Sequence, residues 1–306
     1  MKALVTGGAG FIGSHIVEEL LARKHEVRVL DDLSTGSMEN LPKRGVDFMK
    51  GSITDRAALE KSMKGVEVVF HEAAQVSVAR SMEHPKETWE TNIRGTKLLL
   101  NAAVEAGAKR VVFASSAAVY GNAIPPLREG KEPKPISPYG DSKRMGELLM
   151  EEYAKKERIS TVSLRYANVY GPRQDPGSSY SGVISKFIDR MSKGERPVIF
   201  GNGMQTRDFI FVKDVARANM LAMEARKVKG VYNIATGSGI TINELVKTLN
   251  SVLSTQLEPM FEAEKQGDIK YSWADASLAK DKLGFEARTS LTDGLKETVA
   301  WYRQRK

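Results

Sequence analysis

The 306-residue chain carries 46 Lys and Arg against 38 Asp and Glu, a net charge of +8, with 41% hydrophobic and 27% charged residues. It has no cysteine, which excludes disulfides, thiolate metal sites and a cysteine nucleophile; its four histidines include no H-x-x-x-H pair, so no metal centre is expected. The basic residues are spread along the chain apart from a short cluster at 303–306, which points to a solvated surface suited to anionic substrates rather than to nucleic acid. No apolar run is long enough for a membrane span, and a first strand that starts at residue 2 leaves no room for a signal peptide, so a cytoplasmic protein is expected.

In chain order, residues 2–6 (KALVT) form a short apolar run suited to a buried parallel strand. Gly7, Gly8, Ala9 and Gly10 follow, then Phe11, Ile12 and Gly13, with Ile12, Ile16, Leu20 and Leu21 at helical spacing. Strand, glycine turn and helix together make a dinucleotide site. The glycines let backbone N–H groups approach a pyrophosphate, the helix N-terminus carries the anion, and Gly13 lets helix and strand pack closely. Residues 26–30 read as the second strand, ending in Asp31 and Asp32. Asp31 lies about twenty residues past the glycine turn, where a carboxylate bonds the adenosine ribose and repels a 2′-phosphate, favouring NAD over NADP.

A third strand is expected at 46–49, a helix at 54–63 capped by Thr54 or Asp55, and a fourth strand at 66–70. His71, Glu72, Ala73, Ala74 and Gln75 follow it; small residues there suit a backbone passing close to a cofactor. A long helix is expected from Pro85 to Ala106, a strand at 110–115, a helix at 139–157 opened by Ser137 and Pro138, and a strand at 159–165. Apolar strands alternating with helices predict a doubly wound parallel sheet covered on both faces, a Rossmann-like α/β fold. Beyond residue 169 the rhythm changes to short mixed elements, with helices at 183–192, 213–225, 242–253, 277–283 and 291–303. Residues 1–168 are therefore read as the nucleotide-binding domain, with later elements returning to it, and 169–306 as a smaller mixed α/β lobe for substrate.

Tyr139 and Lys143 form Y-x-x-x-K at the start of a helix, on one face. An ammonium beside a phenol lowers the proton affinity of the phenol and lets it act as a base. The strand at 110–115 ends in Ser115 and Ser116, at the sheet edge where such folds bind ligands. A serine hydroxyl there can share a proton with Tyr139 and a substrate oxygen.

Taken in order, TGGAGFIGSH, DDLSTG, HEAAQVSV, FASSAAVYG, SPYGDSK, LRYANVYGPRQDP, TRDFIFV and QGDIKYSWAD cover nearly the whole chain. This set resembles the extended short-chain dehydrogenase/reductases, and within them the nucleotide-sugar 4-epimerases typified by UDP-glucose 4-epimerase. The resemblance implies tightly held NAD and a UDP-sugar that is oxidised at C4 and reduced on its opposite face. Tyr139 would be the base, Lys143 would bond the nicotinamide ribose, and Ser116 aligns with the family's catalytic serine. Asp31, Asp32, Ala73, Ala74, Gln75 and Tyr166 would line the NAD site with Gly7, Gly10, Phe11, Ile12 and Gly13. Ser52 and Ile53 align where the family commonly has Asp-Ile against adenine, and Asn92 falls in the helix facing the cofactor, with a helix cap or a core amide as the alternative reading.

For the substrate, Asn168 aligns with a binding asparagine, Phe200 with the residue packing on uracil, Arg207 with a diphosphate ligand and Asp268 with a uridine-ribose ligand. Lys265 replaces the family's arginine and loses its bidentate fork. Ser272 stands where some members have a bulky tyrosine, leaving room for a 2-N-acetyl group, so UDP-glucose and UDP-galactose are the expected substrates with UDP-N-acetylhexosamines as additional ones. The resemblance also implies a homodimer, in which Leu148, Leu149 and Tyr153 pair with Leu98 and Ala102 across a two-fold axis. The competing readings are a sugar-nucleotide dehydratase or decarboxylase, disfavoured because Ala117 and Ala118 after Ser116 cannot transfer protons, and a non-catalytic NAD-binding regulator.

Overall fold

The apolar runs of the first half assemble, in this computed structural model, into one sheet. The structure describes residues 1–156, 158–175, 177, 182–264 and 269–304. The order is β1 (Lys2–Thr6), α1 (Phe11–Ala22), β2 (Glu26–Asp31), β3 (Val46–Lys50), α2 (Arg56–Ser62), β4 (Val68–His71), α3 (Val78–Glu83), α4 (Pro85–Trp89), α5 (Gly95–Glu105), β5 (Arg110–Ser116), α6 (Pro138–Lys155) and β6 (Ser160–Tyr166). There follow β7 (Asn168–Tyr170), α7 (Val183–Ser192), β8 (Val198–Phe200), β9 (Thr206–Arg207), β10 (Phe209–Phe211), α8 (Val212–Glu224) and β11 (Gly230–Ile234). The chain ends with β12 (Ile240–Thr241), α9 (Ile242–Leu253), β13 (Met260–Glu262), β14 (Tyr271–Ser272), α10 (Ser277–Leu283) and α11 (Leu291–Gln304).

The large sheet has seven strands in the order β11-β6-β5-β4-β1-β2-β3, and every pairing in it is parallel. The winding reverses between β1 and β4, which opens a crevice at their carboxyl ends. Side chains alternate across the sheet. Val5, Phe70, Val112 and Leu164 pack with Ile16 and Leu20 of α1 and Ala216 and Met220 of α8 on one face. Leu4, Val69, Val111 and Phe113 pack with Leu59, Leu99 and Met150 on the other. A separate core joins α7, α9 and α11 through Ile184, Phe187, Leu245, Leu249, Leu295 and Val299.

The structure departs from the sequence expectations in three places. Residues 78–83 form a helix that the pattern did not reveal; Ser77 starts it by accepting from the Arg80 backbone N–H at 3.0 Å. The long helix from Pro85 contains a π-helical turn at Glu90–Arg94, which carries Asn92. Of the residues expected at a two-fold interface, Tyr153 and Ala102 are 6% and 5% exposed within the single chain. The Tyr153 hydroxyl is satisfied by Asn101 Oδ1 at 2.5 Å, so neither residue is available to a partner. Trp89 and Leu148, 49% and 39% exposed, are the large apolar side chains these helices do present to solvent.

Helix α6 is fixed to the sheet by a buried ion pair. Arg165 on β6 donates from Nε and Nη2 to the two oxygens of Glu147 on α6 at 2.7 and 2.8 Å, with both side chains at most 2% exposed. Ser115 Oγ on β5 donates to the same carboxylate at 2.6 Å, Arg144 adds a bond at 3.1 Å, and the Arg165 guanidinium lies 4.7 Å from the Tyr120 ring centroid. Removing one partner leaves an uncompensated buried charge, which typically costs about 3–5 kcal/mol. Glu147→Ala is therefore expected to lose about that much stability in urea unfolding, and Glu147→Met with Arg165→Met much less than the sum of the single changes. Additive losses in the double variant would contradict a coupled pair.

Candidate functional site

The glycine turn closes on the end of β4. Gly7 has φ +68°, and a Cβ there would fall 2.7 Å from the Ala73 backbone nitrogen; one on Gly13 would fall 2.2 Å from the Gly7 carbonyl oxygen. At these two positions the turn has no room for a side chain. Helix α1 begins at Gly10 without a side-chain cap, and Phe11 and Ile12 lie in its first turn, so its opening N–H groups are left for an anion. Asp31, at the end of β2, is buried and accepts from the Ala9 and Leu33 backbone N–H groups at 2.9 and 2.8 Å. Burial pushes its carboxyl up, and the two N–H donors oppose that. Each oxygen keeps acceptor capacity for a hydroxyl. Asp32 is exposed and caps the Ser34 N–H at 2.9 Å. Ser52 accepts from the Thr54 N–H, and Ile53 is buried against Gly95.

A chain of buried hydrogen bonds links this turn to α6. Thr6 Oγ1 lies 2.9 Å from His71 Nδ1, and His71 Nε2 lies 2.9 Å from Thr96 Oγ1. Thr96 spends its proton on the Asn92 carbonyl at 2.6 Å, so His71 must donate from Nε2 and accept at Nδ1. Burial, with a smaller push from Lys143, pulls the imidazole down to about 3, and it stays neutral. Of the two readings of Asn92, the structure shows the core amide, a buried clamp: Oδ1 accepts from the Gln75 N–H at 2.7 Å, and Nδ2 donates to the Gln75 carbonyl and to Ser142 Oγ, each at 2.9 Å. Ser142 in turn donates to the Tyr139 carbonyl at 2.7 Å. The loop bearing Ala73, Ala74 and Gln75 and the start of α6 are thereby held in one register.

Ser116, Tyr139 and Lys143 come together at the carboxyl end of β5. Ser137 caps α6 through the Gly140 N–H at 3.1 Å, and Ser81 of α3 accepts from the Tyr139 N–H at 3.1 Å, which fixes the first turn. The Ser116 hydroxyl, which accepts from the Ala118 N–H at 3.1 Å, is close enough to the Tyr139 phenol to favour its anion. Lys143 is 4% exposed; its Nζ donates to the Ala114 carbonyl at 2.8 Å and stands 5.8 Å from the Tyr139 ring centroid. The charges do not sit as the motif alone suggests. Burial raises the Tyr139 phenol, Ser116 opposes the rise, and the Glu72 carboxylate adds to it. Burial pulls Lys143 down to about 8, against a pull upward from Glu72.

Glu72 was not among the residues singled out from sequence. Tyr166, placed beside the cofactor by resemblance, donates to Glu72 Oε1 at 2.9 Å and accepts from Asn219 Nδ2 at 2.8 Å. The available signal was an acidic residue between a buried strand and two alanines that must pass close to a ligand.

A second group lies in the later half. Arg207 on β9 donates to the Ile269 carbonyl at 2.6 Å and sits in register with Ser272 on β14. Phe200 lines a cavity of about 250 Å³ with Gly201, Gln205 and Tyr271, and Gln205 donates to the Phe200 carbonyl at 2.8 Å. Asn168 is exposed at the start of β7, its N–H bonded to the Asp208 carbonyl. Lys265 and Asp268 lie outside the described residues. Among the described residues no group of acidic or histidine side chains is arranged for a metal ion, and no helix is long and apolar enough to cross a membrane.

The chain resembles proteins of known structure over its full length. The crystal structure of a UDP-glucose 4-epimerase with UDP-glucose from Thermotoga maritima is 44% identical, covers 100% of this chain and 99% of its own, and superposes with a TM-score of 0.95. A UDP-N-acetylglucosamine 4-epimerase from Methanobrevibacter ruminantium M1, in complex with UDP-N-acetylmuramic acid, is 41% identical with the same coverage and a TM-score of 0.96. A UDP-N-acetyl-alpha-D-glucosaminuronate decarboxylase from Bacillus cytotoxicus is 33% identical over 99% of this chain and 98% of its own. Residues 3–235 match the model of the NAD dependent epimerase/dehydratase family. With a glycine turn, an acidic end to β2 and a Ser–Tyr–Lys group at one sheet edge, the chain belongs to the NAD dependent epimerase/dehydratase family.

Proposed function

We propose that the protein is a UDP-sugar 4-epimerase that interconverts UDP-glucose and UDP-galactose through a transient 4-keto sugar. The observation that carries this reading is the Ser116–Tyr139–Lys143 group, set at the sheet edge beside a turn with no room for a side chain at Gly7 or Gly13. The uncapped start of α1 fits a pyrophosphate and Asp31 fits ribose hydroxyls without a 2′-phosphate, so NAD is the group these residues would hold. Bound NAD supplies a hydride acceptor and donor at the sugar C4.

The protein's part is proton handling and orientation. Tyr139 takes the proton of the sugar 4-hydroxyl and later returns it, and Ser116 holds that oxygen in line with the phenol. Lys143, fixed by the Ala114 carbonyl, supplies positive charge beneath the phenol as its proton leaves. Arg207 and Phe200 would hold the diphosphate and the base, so that the sugar alone is free to turn. Dehydration or decarboxylation has the Bacillus relative in its favour. Against it, the residues after Ser116 are alanines that open a short 3₁₀ turn, with the Ser116 hydroxyl capping the Ala118 N–H at 3.1 Å.

Replacing Tyr139 with Phe removes the proton acceptor and nothing that touches the glycine turn. Turnover of UDP-galactose should fall by roughly 10²–10⁴-fold while the NAD released on denaturation stays equal to wild type. More than a tenth of wild-type turnover would rule Tyr139 out as the base, and a dehydrated or decarboxylated product would favour the other reading.

The sugar range turns on Ser272. It is half-buried beside Arg207, and a tyrosine there would fill space that a 2-N-acetyl group needs. Overpacking costs about 1–3 kcal/mol, or roughly 5- to 150-fold. Ser272→Tyr should lose that much activity on UDP-N-acetylglucosamine and keep its activity on UDP-glucose. Wild type inactive on N-acetylhexosamines, or a variant that loses both activities equally, would contradict the open pocket.

A further inference from the structure

Lys143 presents a problem that the reaction scheme does not solve. Its ammonium is almost wholly buried, and the bond to it comes from the Ala114 carbonyl, a neutral acceptor. A buried cation needs an anion to stay charged. Glu147, one turn along α6, is committed to Arg165, Arg144 and Ser115. Glu72 follows His71, which pairs with Phe113, so it stands beside Ala114, whose carbonyl holds Lys143. Its charge reaches Lys143, and burial pushes its carboxyl up to about 7, against the pull of Tyr166 and Lys143. It cannot swing freely, because Tyr166 holds it at 2.9 Å and is itself held by the fully buried Asn219 at 2.8 Å.

We propose that Glu72 is a positioning residue for the proton-transfer pair: held by Tyr166, its carboxylate is the counter-charge that keeps Lys143 an ammonium while Tyr139 carries its proton. The inference rests on Tyr139 being the base. The titratable groups facing Glu72 are Tyr166 from β6 and Tyr139 and Lys143 from α6; His71, next to it on β4, has both ring nitrogens bonded to threonines and is neutral. A carboxylate raises the proton affinity of every neighbour. Its loss must therefore move both groups the same way: Tyr139 ionises at lower pH, and Lys143 loses its proton at lower pH.

The test compares wild type with Glu72→Gln, which keeps an acceptor for Tyr166, and Glu72→Leu, which does not. The holoenzymes are assayed for kcat/KM on UDP-galactose from about pH 5 to about pH 10. Independently, tyrosinate absorbance is titrated with the matching Tyr139→Phe variants subtracted. Both limbs of the profile and the Tyr139 titration should move to lower pH by roughly one unit in both variants. Unmoved limbs and an unmoved titration in Glu72→Gln would overturn the proposal, as would a change confined to Glu72→Leu, which would mark Glu72 as a structural partner of Tyr166. If Tyr139→Phe keeps its turnover, the base assignment fails by itself, and the absorbance titration still decides whether Glu72 acts on Tyr139.

Discussion

Glu147 and Arg165 have both left water, and neither could do so without the other. The attraction between them is set by geometry: two near-parallel bonds, a serine filling the remaining acceptor space and a tyrosine ring against the guanidinium. Such a pair adds less stability than its short distances suggest, because desolvation offsets most of the attraction. What it adds is position. Glu147 lies on α6 one helical turn beyond Lys143, Ser115 is next to Ser116, and Arg165 is next to Tyr166. One interaction thereby locks three elements whose neighbouring residues form the candidate site.

The chain from Thr6 through His71, Thr96, Asn92 and Ser142 supplies the second constraint, between the glycine turn and the start of α6. Its members are neutral, so it holds position without adding charge to a pocket that already contains an ammonium. Tyr139 and Lys143 are both driven by burial toward their uncharged forms. A site that takes and returns a proton needs such balance, since a phenol deep in an apolar pocket is a poor acid until a cation or a hydroxyl donor supports its anion.

What sequence reveals is local. The apolar run, glycine turn and helix of residues 2–22 follow from spacing, and helices Val183–Ser192, Ile242–Leu253 and Ser277–Leu283 begin and end where periodicity places them. Ser116, Tyr139 and Lys143 meet as the motif order implies. What sequence hides depends on distant partners. Sequence leaves Asn92 open between a cofactor contact and a core amide, and the π-helical turn carries it to Gln75. Glu72 and Tyr166 are 94 residues apart, and only the sheet order brings their side chains across β5. The segment 78–83 has no apolar periodicity and becomes helical because Ser77 caps it and Ser81 meets Tyr139. The later elements expected to return to the first domain include α8, which packs on the face of α1, and β11, which adds a strand beside β6.

The account assigns the protein's own residues only exchangeable O–H protons, while the C4 hydrogen moves as hydride to a carrier that stays bound. That division is open to direct measurement. UDP-galactose carrying deuterium at C4 is converted in ordinary water, and the UDP-glucose formed is analysed by mass spectrometry. The account predicts that the deuterium is retained at C4 of the product. Its replacement by hydrogen from water would show that a side chain removes the carbon-bound proton, and would contradict the role given to Tyr139 and the glycine turn alike.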